Sequence, residues 1–199
     1  MKILIIQKIT YNMGQKFSRF LLTKVMKWEI VKDCEIESKG IVLGVPHTSI
    51  WDFIITYVYC NAIGEKVKVM IKKELFFWPL GPIIKSLGGF PIDRKHSTGV
   101  VKQVIDQFKS SDKFLLCIAP EGTRKPVKRW KTGFHSIAKA AEVPVYLGFF
   151  DWKNKRVGVS RTFEISDNPK ADLLEIQRYY KSLNMDGKHK GHYLFMDEV

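Results

Sequence analysis

The stretch PHTSIWD at residues 46–52 holds the two side chains best suited to move a proton. The apolar run IVLGV at 41–45 just before it reads as a buried strand, and Ser49 with Asp52 three positions on reads as the start of a helix. His47 then sits in a loop at a strand end and Asp52 in the first helical turn. From there the carboxylate can reach back to one imidazole nitrogen and leave the other facing outward as a base. A simpler reading stands beside this one, in which Asp52 completes a capping box with Ser49 and His47 is an ordinary loop histidine. Two further loops add weight to the chemical reading. GGFPIDR at 88–94 and PEGTR at 120–124 each end in an arginine at the edge of a predicted strand, and guanidinium forks match phosphate oxygens. Arg94 and Arg124 would then come together. Gly122 permits close backbone approach, Thr123 offers a hydroxyl, and Glu121 can pair with an arginine or accept a hydrogen bond from a polyol. Taken singly, each loop also reads as a solvated turn at a sheet edge.

These residues need a scaffold, and from residue 41 onward short β-rich apolar runs alternate with helical periodicity. That alternation predicts an α/β fold: a mixed, mostly parallel sheet flanked by helices. Strands are expected at 41–45, 67–71, 90–92, 114–119 and 143–150, with a hairpin turning near Asn154. Helices are expected from Ser49 to about Ala62, along the stripe Val100, Val104 and Phe108, and along Phe134, Ile137 and Ala141. A last helix starts at Asp167-Asn168-Pro169, where Asp or Asn caps and Pro suits the first turn, and it carries Leu173, Ile176 and Tyr180 inward. Residues 72–89, rich in aromatics, Pro and Gly, read as broken helical turns covering something apolar.

With 199 residues, a net charge of +13 and 45% hydrophobic residues, the chain is basic yet able to bury a continuous core, which excludes a disordered or purely solvating segment. One domain over 1–199 is the expectation, with 41–150 as its catalytic core. Cys34, Cys60 and Cys117 are odd in number, widely spaced and without a CxxC pair, so a reducing compartment is expected rather than a disulfide framework or zinc ribbon. Cys60 and Cys117 sit inside apolar runs and read as core residues. The apolar run after Met1-Lys2 is too short for a secretory signal, and no window approaches the roughly 18 apolar residues of a membrane-spanning helix. Residues 1–28 carry six cations and no acid, while Phe17, Leu21, Val25 and Trp28 step by three or four. This basic amphipathic segment, one helix or two short ones with a break near Asn12 to Gly14, would lie on an anionic bilayer or pack on the domain. RKPVKRWK at 124–131 would suit phospholipid head groups, an acidic carrier protein or nucleic acid. His189 and His192 lack further partners for a metal site, and no metal is expected. His96 and His135 have no readable role.

The ordered blocks HTSIWD, GGFPIDR, PEGTR and VPV at 143–145 together resemble the glycerolipid acyltransferase family typified by 1-acylglycerol-3-phosphate acyltransferases. The resemblance covers about residues 41–150. It implies an O-acyltransferase in which His47 and Asp52 form the catalytic dyad of an HxxxxD motif. It implies as well that Arg94 and the loop Glu121, Gly122, Thr123 and Arg124 bind the acceptor, with Lys131 and Gly133 following. Pro46, Ala119 and Leu147 depart from the family's usual Asn, Phe and Pro, which bears on acceptor and acyl-chain preference. No cofactor is implied beyond the thioester co-substrate, acyl-CoA or acyl carrier protein. The acceptor would be a lysophospholipid or a glycerol-phosphate type, and the enzyme would work in the cytoplasm, peripheral on the inner face of the membrane. The same chemistry on an amino-acid-derived lipid is an alternative. So is a non-catalytic basic module for membranes or nucleic acid, although no nucleic-acid motif is present and a carboxylate-held histidine would be of no use to it.

Overall fold

Alternation of side chains along one central strand organises the molecule. A computed structural model describes residues 14–93, 97–189 and 192. In β2 (Lys39–Val45), Ile41, Leu43 and Val45 point to one face of the sheet and Val42 to the other, and all four are buried. A strand with apolar residues on both sides needs a helical layer on each, as parallel sheets do. The remaining strands are β1 (Glu29–Lys32), β3 (Val67–Lys72), β4 (Gly89–Ile92), β5 (Phe114–Ile118), β6 (Val145–Asp151) and β7 (Arg156–Phe163). They form one seven-stranded sheet in the order β1-β7-β6-β2-β5-β3-β4. Every pairing is parallel except the β6–β7 hairpin. The expected mixed, mostly parallel α/β architecture is therefore the observed one.

The helices are α1 (residues 14–20, running into a π-helical turn Leu21–Val25), α2 (Trp51–Ile63), α3 (Leu80–Ser86), α4 (Ser97–Ser110), α5 (Gly133–Ala141) and α6 (Pro169–Ser182). One face of the sheet is covered by α4, α5 and α6 through Val104, Phe108, Phe134, Ile137, Ile176 and Tyr180. The other is covered by α1 and α2 through Leu22, Ile55, Val58 and Tyr59, with Trp28 of the α1–β1 link beside them. As expected, Asn168 caps α6, accepting from the amides of Lys170 and Ala171 ahead of the inward-facing Leu173, Ile176 and Tyr180. His135 finds a structural place here. Buried on α5, its Nε2 lies 3.0 Å from Asp172 Oδ2 of α6 and 3.1 Å from the Ser166 carbonyl.

Three expectations are revised. Strand β1 was not foreseen. It is a four-residue strand that pairs with β7 because Gly158 lets the Val31 backbone come close, where a Cβ would collide with it. The N-terminal stripe divides: Leu21 and Trp28 pack in the core beside α2, whereas Phe17 and Val25 are exposed. Residues 1–13 of that segment lie outside the described residues. Residues 72–89 do form broken turns, a 3-10 turn (Lys73–Leu75) and α3, but Phe77, Trp78 and Ile83 face solvent instead of covering an apolar surface.

Candidate active site

Three neighbouring strands, β5, β2 and β6, end at the same edge of the sheet, and the loops that leave them meet. A strand-end crevice of this kind is where α/β sheets place ligands and reactive groups. The loop after β2 carries His47 and leads into α2, whose first turn holds Asp52. The helix starts at Trp51, two residues after the expected cap. Ser49 Oγ accepts from the Trp51 amide, and Asp52 Oδ2 accepts from the amides of Thr48 and Ser49, both at 2.8 Å. The simple capping reading is thus part of the truth, because the carboxylate does satisfy amides that a helix N-terminus leaves open. It also does more. His47 Nδ1 lies 3.3 Å from Asp52 Oδ2, and Trp152 Nε1–H donates to Asp52 Oδ1 at 2.7 Å.

Asp52 is 1% exposed, a burial that an unpaired carboxylate would not tolerate. Two amides, an indole and an imidazole supply what water would have given, and the helix N-terminus adds a favourable dipole. The His47 side chain remains 28% exposed. With Nδ1 turned to the carboxylate, Nε2 is the nitrogen left for a substrate.

The loop after β5 supports His47 from below. Glu121 is buried, its Oε1 accepts from the His47 backbone amide at 2.9 Å, and its Oε2 has no hydrogen-bond partner among the described residues. Burial pushes the Glu121 carboxyl up to about 7, against the lowering effect of the His47 amide. Gly122 adopts a positive φ of 68°, and the Lys131 side chain passes so close that a Cβ there would sit 2.9 Å from Lys131 Cε. The positive φ favours glycine, whereas the Lys131 contact is with the end of a flexible side chain that can shift. Lys131 donates its amide to the Pro120 carbonyl, which folds the loop back against the start of α5. Arg124 and Lys131 are exposed, and Thr123 is half-buried with its hydroxyl accepting from the Lys125 amide. The structure therefore brings His47, Asp52, Glu121, Gly122, Thr123, Arg124 and Lys131 to one edge. Arg94 and His96 lie outside the described residues. Cys117 and Cys60 carry thiols raised by burial, Cys117 to about 12, so neither offers a thiolate.

Sequence reasoning missed Trp152 and the chain that holds it. The β6–β7 turn is fixed by the fully buried Asp151, which accepts from the Asn154 amide and side chain and from Arg156. That turn presents the Trp152 indole to Asp52, and the Trp28 ring meets the Trp152 ring edge-on at 4.9 Å. Residues 186–189 then cross the site. The Trp152 amide donates to the Asp186 carbonyl, the His189 amide donates to Thr48 Oγ1, and Gly187 lies directly against Thr48. Lys188 Nζ sits 4.7 Å from the Trp51 ring centroid and 4.6 Å from that of Trp152. His192 Nδ1 lies 3.1 Å from the Arg124 carbonyl. The one available signal was Trp152 following an apolar strand, as His47 and Glu121 follow theirs within three residues.

Trp152→Phe keeps a ring in that slot and removes the donor to Asp52. A hydrogen bond to a charged group is worth about 1.5–3 kcal/mol, so kcat is expected to fall roughly tenfold or more with KM for both substrates unchanged. Steady-state kinetics check this, and an unaltered kcat would remove Trp152 from the positioning of the dyad.

The sequence matches the Acyltransferase family over residues 24–146, more than half of its length, and the chain belongs to that family. Its fold is similar to that of a 1-acyl-sn-glycerophosphate acyltransferase, PlsC, from Thermotoga maritima, with a TM-score of 0.58 at 17% identity, covering 92% of this chain and 83% of that one. No curated protein sequence matches the chain significantly.

Proposed function

We propose that this acyltransferase moves a fatty acyl group from a thioester, acyl-CoA or acyl carrier protein, to a hydroxyl of a lysophospholipid or glycerol-phosphate-type acceptor. The observation that carries the reading is a part-exposed imidazole backed by a buried, four-donor carboxylate at the strand-end edge of an acyltransferase-family sheet. In this mechanism His47 Nε2 takes the hydroxyl proton as the alcohol oxygen attacks the thioester carbonyl. The C–S bond then breaks, and the departing sulfur recovers that proton from the imidazolium. A thioester is already activated, so no covalent acyl-enzyme is needed. Asp52 stabilises the imidazolium while it exists and keeps the Nδ1–H tautomer. Glu121, through the His47 backbone, fixes where the ring stands.

An apolar cavity between α2 and the sheet, lined by Val42, Gly44, Thr56, Tyr59, Cys117 and Phe150, begins one helical turn beyond Asp52. Gly44 keeps it open, since a Cβ there would lie 3.1 Å from Cys117 Sγ. At about 20 Å³ it holds little more than a water molecule, so an acyl chain would enter there only if α2 moved away from the sheet. The cationic side chains at the mouth suit the phosphate of the acceptor, with Arg124 as the fork and Lys131 and Thr123 beside it; Arg94, outside the described residues, joins them on the sequence resemblance alone. The enzyme would work at the inner face of a membrane; among the described residues no helix is long and apolar enough to cross one.

Offering the purified protein several acyl donors and a panel of lysolipids, with products identified by mass spectrometry, tests the reading; diacyl phospholipid is the expected product. Arg94→Ala and Arg124→Ala should each raise KM for a phosphate-bearing acceptor by about tenfold or more, at roughly 1.5–3 kcal/mol per phosphate contact. The KM for the donor should move far less. Normal acceptor kinetics in both variants would mean an acceptor that lacks a phosphate or binds elsewhere.

A further inference from the structure

Twelve large hydrophobic side chains are exposed among the described residues, and all of them fall between Phe17 and Ile83. None is on α5 or α6, or among the described side chains of α4. The elements that carry them share one layer. The π-helical turn of α1 packs against α2. On α3, Ile84 packs against Gly89 and Ile71, and Ile71 points to the same side of β3 as Val67, which packs in the core cluster under α2. Thus α1, α2 and α3 cover the same face of the sheet, and their outer surfaces look the same way.

From the N-cap Ile50 into α2, the exposed Ile50, Ile54 and Tyr57 recur at helical spacing, across from the buried Ile55 and Tyr59 and flanked by the buried Val58. This is a helix with apolar residues on both sides, which a surface facing only water does not explain. At the corner after β3, Phe77 is 57% and Trp78 84% exposed. That corner leaves the C-terminal end of β3, the edge at which β2 delivers His47, and Ile50 and Trp51 follow the catalytic loop directly.

Cations predominate around this surface, with Glu74 beside Leu75 as an exposed acid. The described part of α1 carries Lys16, Arg19 and Lys24 and no acid, α3 carries Lys85 and no acid, and the acid of α2, Asp52, is buried. Lys188 lies against Trp51 at the mouth of the site. Apolar side chains with aromatic tips amid cations complement an anionic bilayer, where Trp settles at the head-group level and Lys and Arg meet the phosphates.

We infer that the outer surface of the α1–α3 layer is a lipid-docking face, with Phe77 and Trp78 as its inserting tip, that sets the catalytic edge against an anionic membrane. The inference rests on the lipid-acyltransferase reading for its biological sense, but its test needs no turnover. The full chain is sedimented with vesicles of equal parts phosphatidylglycerol and phosphatidylcholine, and with phosphatidylcholine alone, in the absence of any acyl donor. Wild type should bind the anionic vesicles, bind the neutral ones poorly and be partly released by salt. Phe77→Ser/Trp78→Ser should weaken anionic-vesicle binding about tenfold or more while leaving the melting temperature unchanged, because both side chains are solvent-exposed. Lys102→Glu on α4, in the opposite layer, should leave binding unaltered. Unchanged binding of the double variant would overturn the proposal. So would binding as strong to neutral as to anionic vesicles, or a double variant that changes only self-association, which would make this face a contact between copies. Failure of acyl transfer with vesicle binding intact would instead count against the proposed reaction and leave the docking face standing.

Discussion

Purified His47→Ala protein is expected to transfer acyl groups at about a thousandth of the wild-type rate or less, since a positioned general base contributes roughly a hundredfold to ten-thousandfold. Its folded state should be little changed. The imidazole is part-exposed and its one side-chain partner here, Asp52, keeps three other donors when the ring is gone. The backbone bond from residue 47 to Glu121 also survives, because it uses the amide rather than the ring. Parallel measurement of kcat and thermal melting checks both halves. Wild-type turnover in a correctly folded His47→Ala protein would remove the base from the mechanism.

Asp52→Asn is expected to cost both activity and stability. Oδ2 faces the amides of Thr48 and Ser49, and Oδ1 faces the Trp152 indole N–H, so both oxygens look at donors. An amide has one oxygen and one NH2 group. Whichever way it turns, the NH2 meets an N–H, and the better orientation sacrifices the bond to Trp152. Leaving a buried donor unsatisfied costs about 1–3 kcal/mol. Transfer should fall about a thousandfold, because the side chain no longer stabilises an imidazolium, with residual turnover as the helix is still capped. Denaturant unfolding and steady-state rates measure the two effects. A variant as stable and as active as wild type would mean that Asp52 caps α2 and nothing more.

Much of this site was legible because its parts are local. His47 and Asp52 lie five residues apart, and the strand, loop and first helical turn between them fix their meeting in any α/β setting. Glu121 and Gly122 were legible as chemistry, but not that Glu121 holds the His47 backbone, since that contact depends on β5 lying beside β2. Trp152 is a hundred residues from Asp52, and nothing in its own neighbourhood says that the β6–β7 turn opens onto the dyad. The segment around Lys188 was opaque for the same reason. Its neighbours are Thr48, Trp51 and Trp152, gathered only once the sheet is assembled. The sheet itself was readable from buried apolar runs at 41–45, 114–119 and 143–150. Strand β1 was not, being a four-residue edge strand with charged ends whose pairing is licensed by a glycine on β7.

The central claim is direct transfer from a thioester to a lipid hydroxyl at this dyad. It is tested most directly by mixing the wild-type enzyme with a labelled acyl thioester and a lysophospholipid and following free thiol, lipid ester and acylated protein together. Thiol and lipid ester should rise in step, one for one, with no acylated protein at any time. Thiol release without ester, or a labelled protein that precedes the ester, would contradict the account.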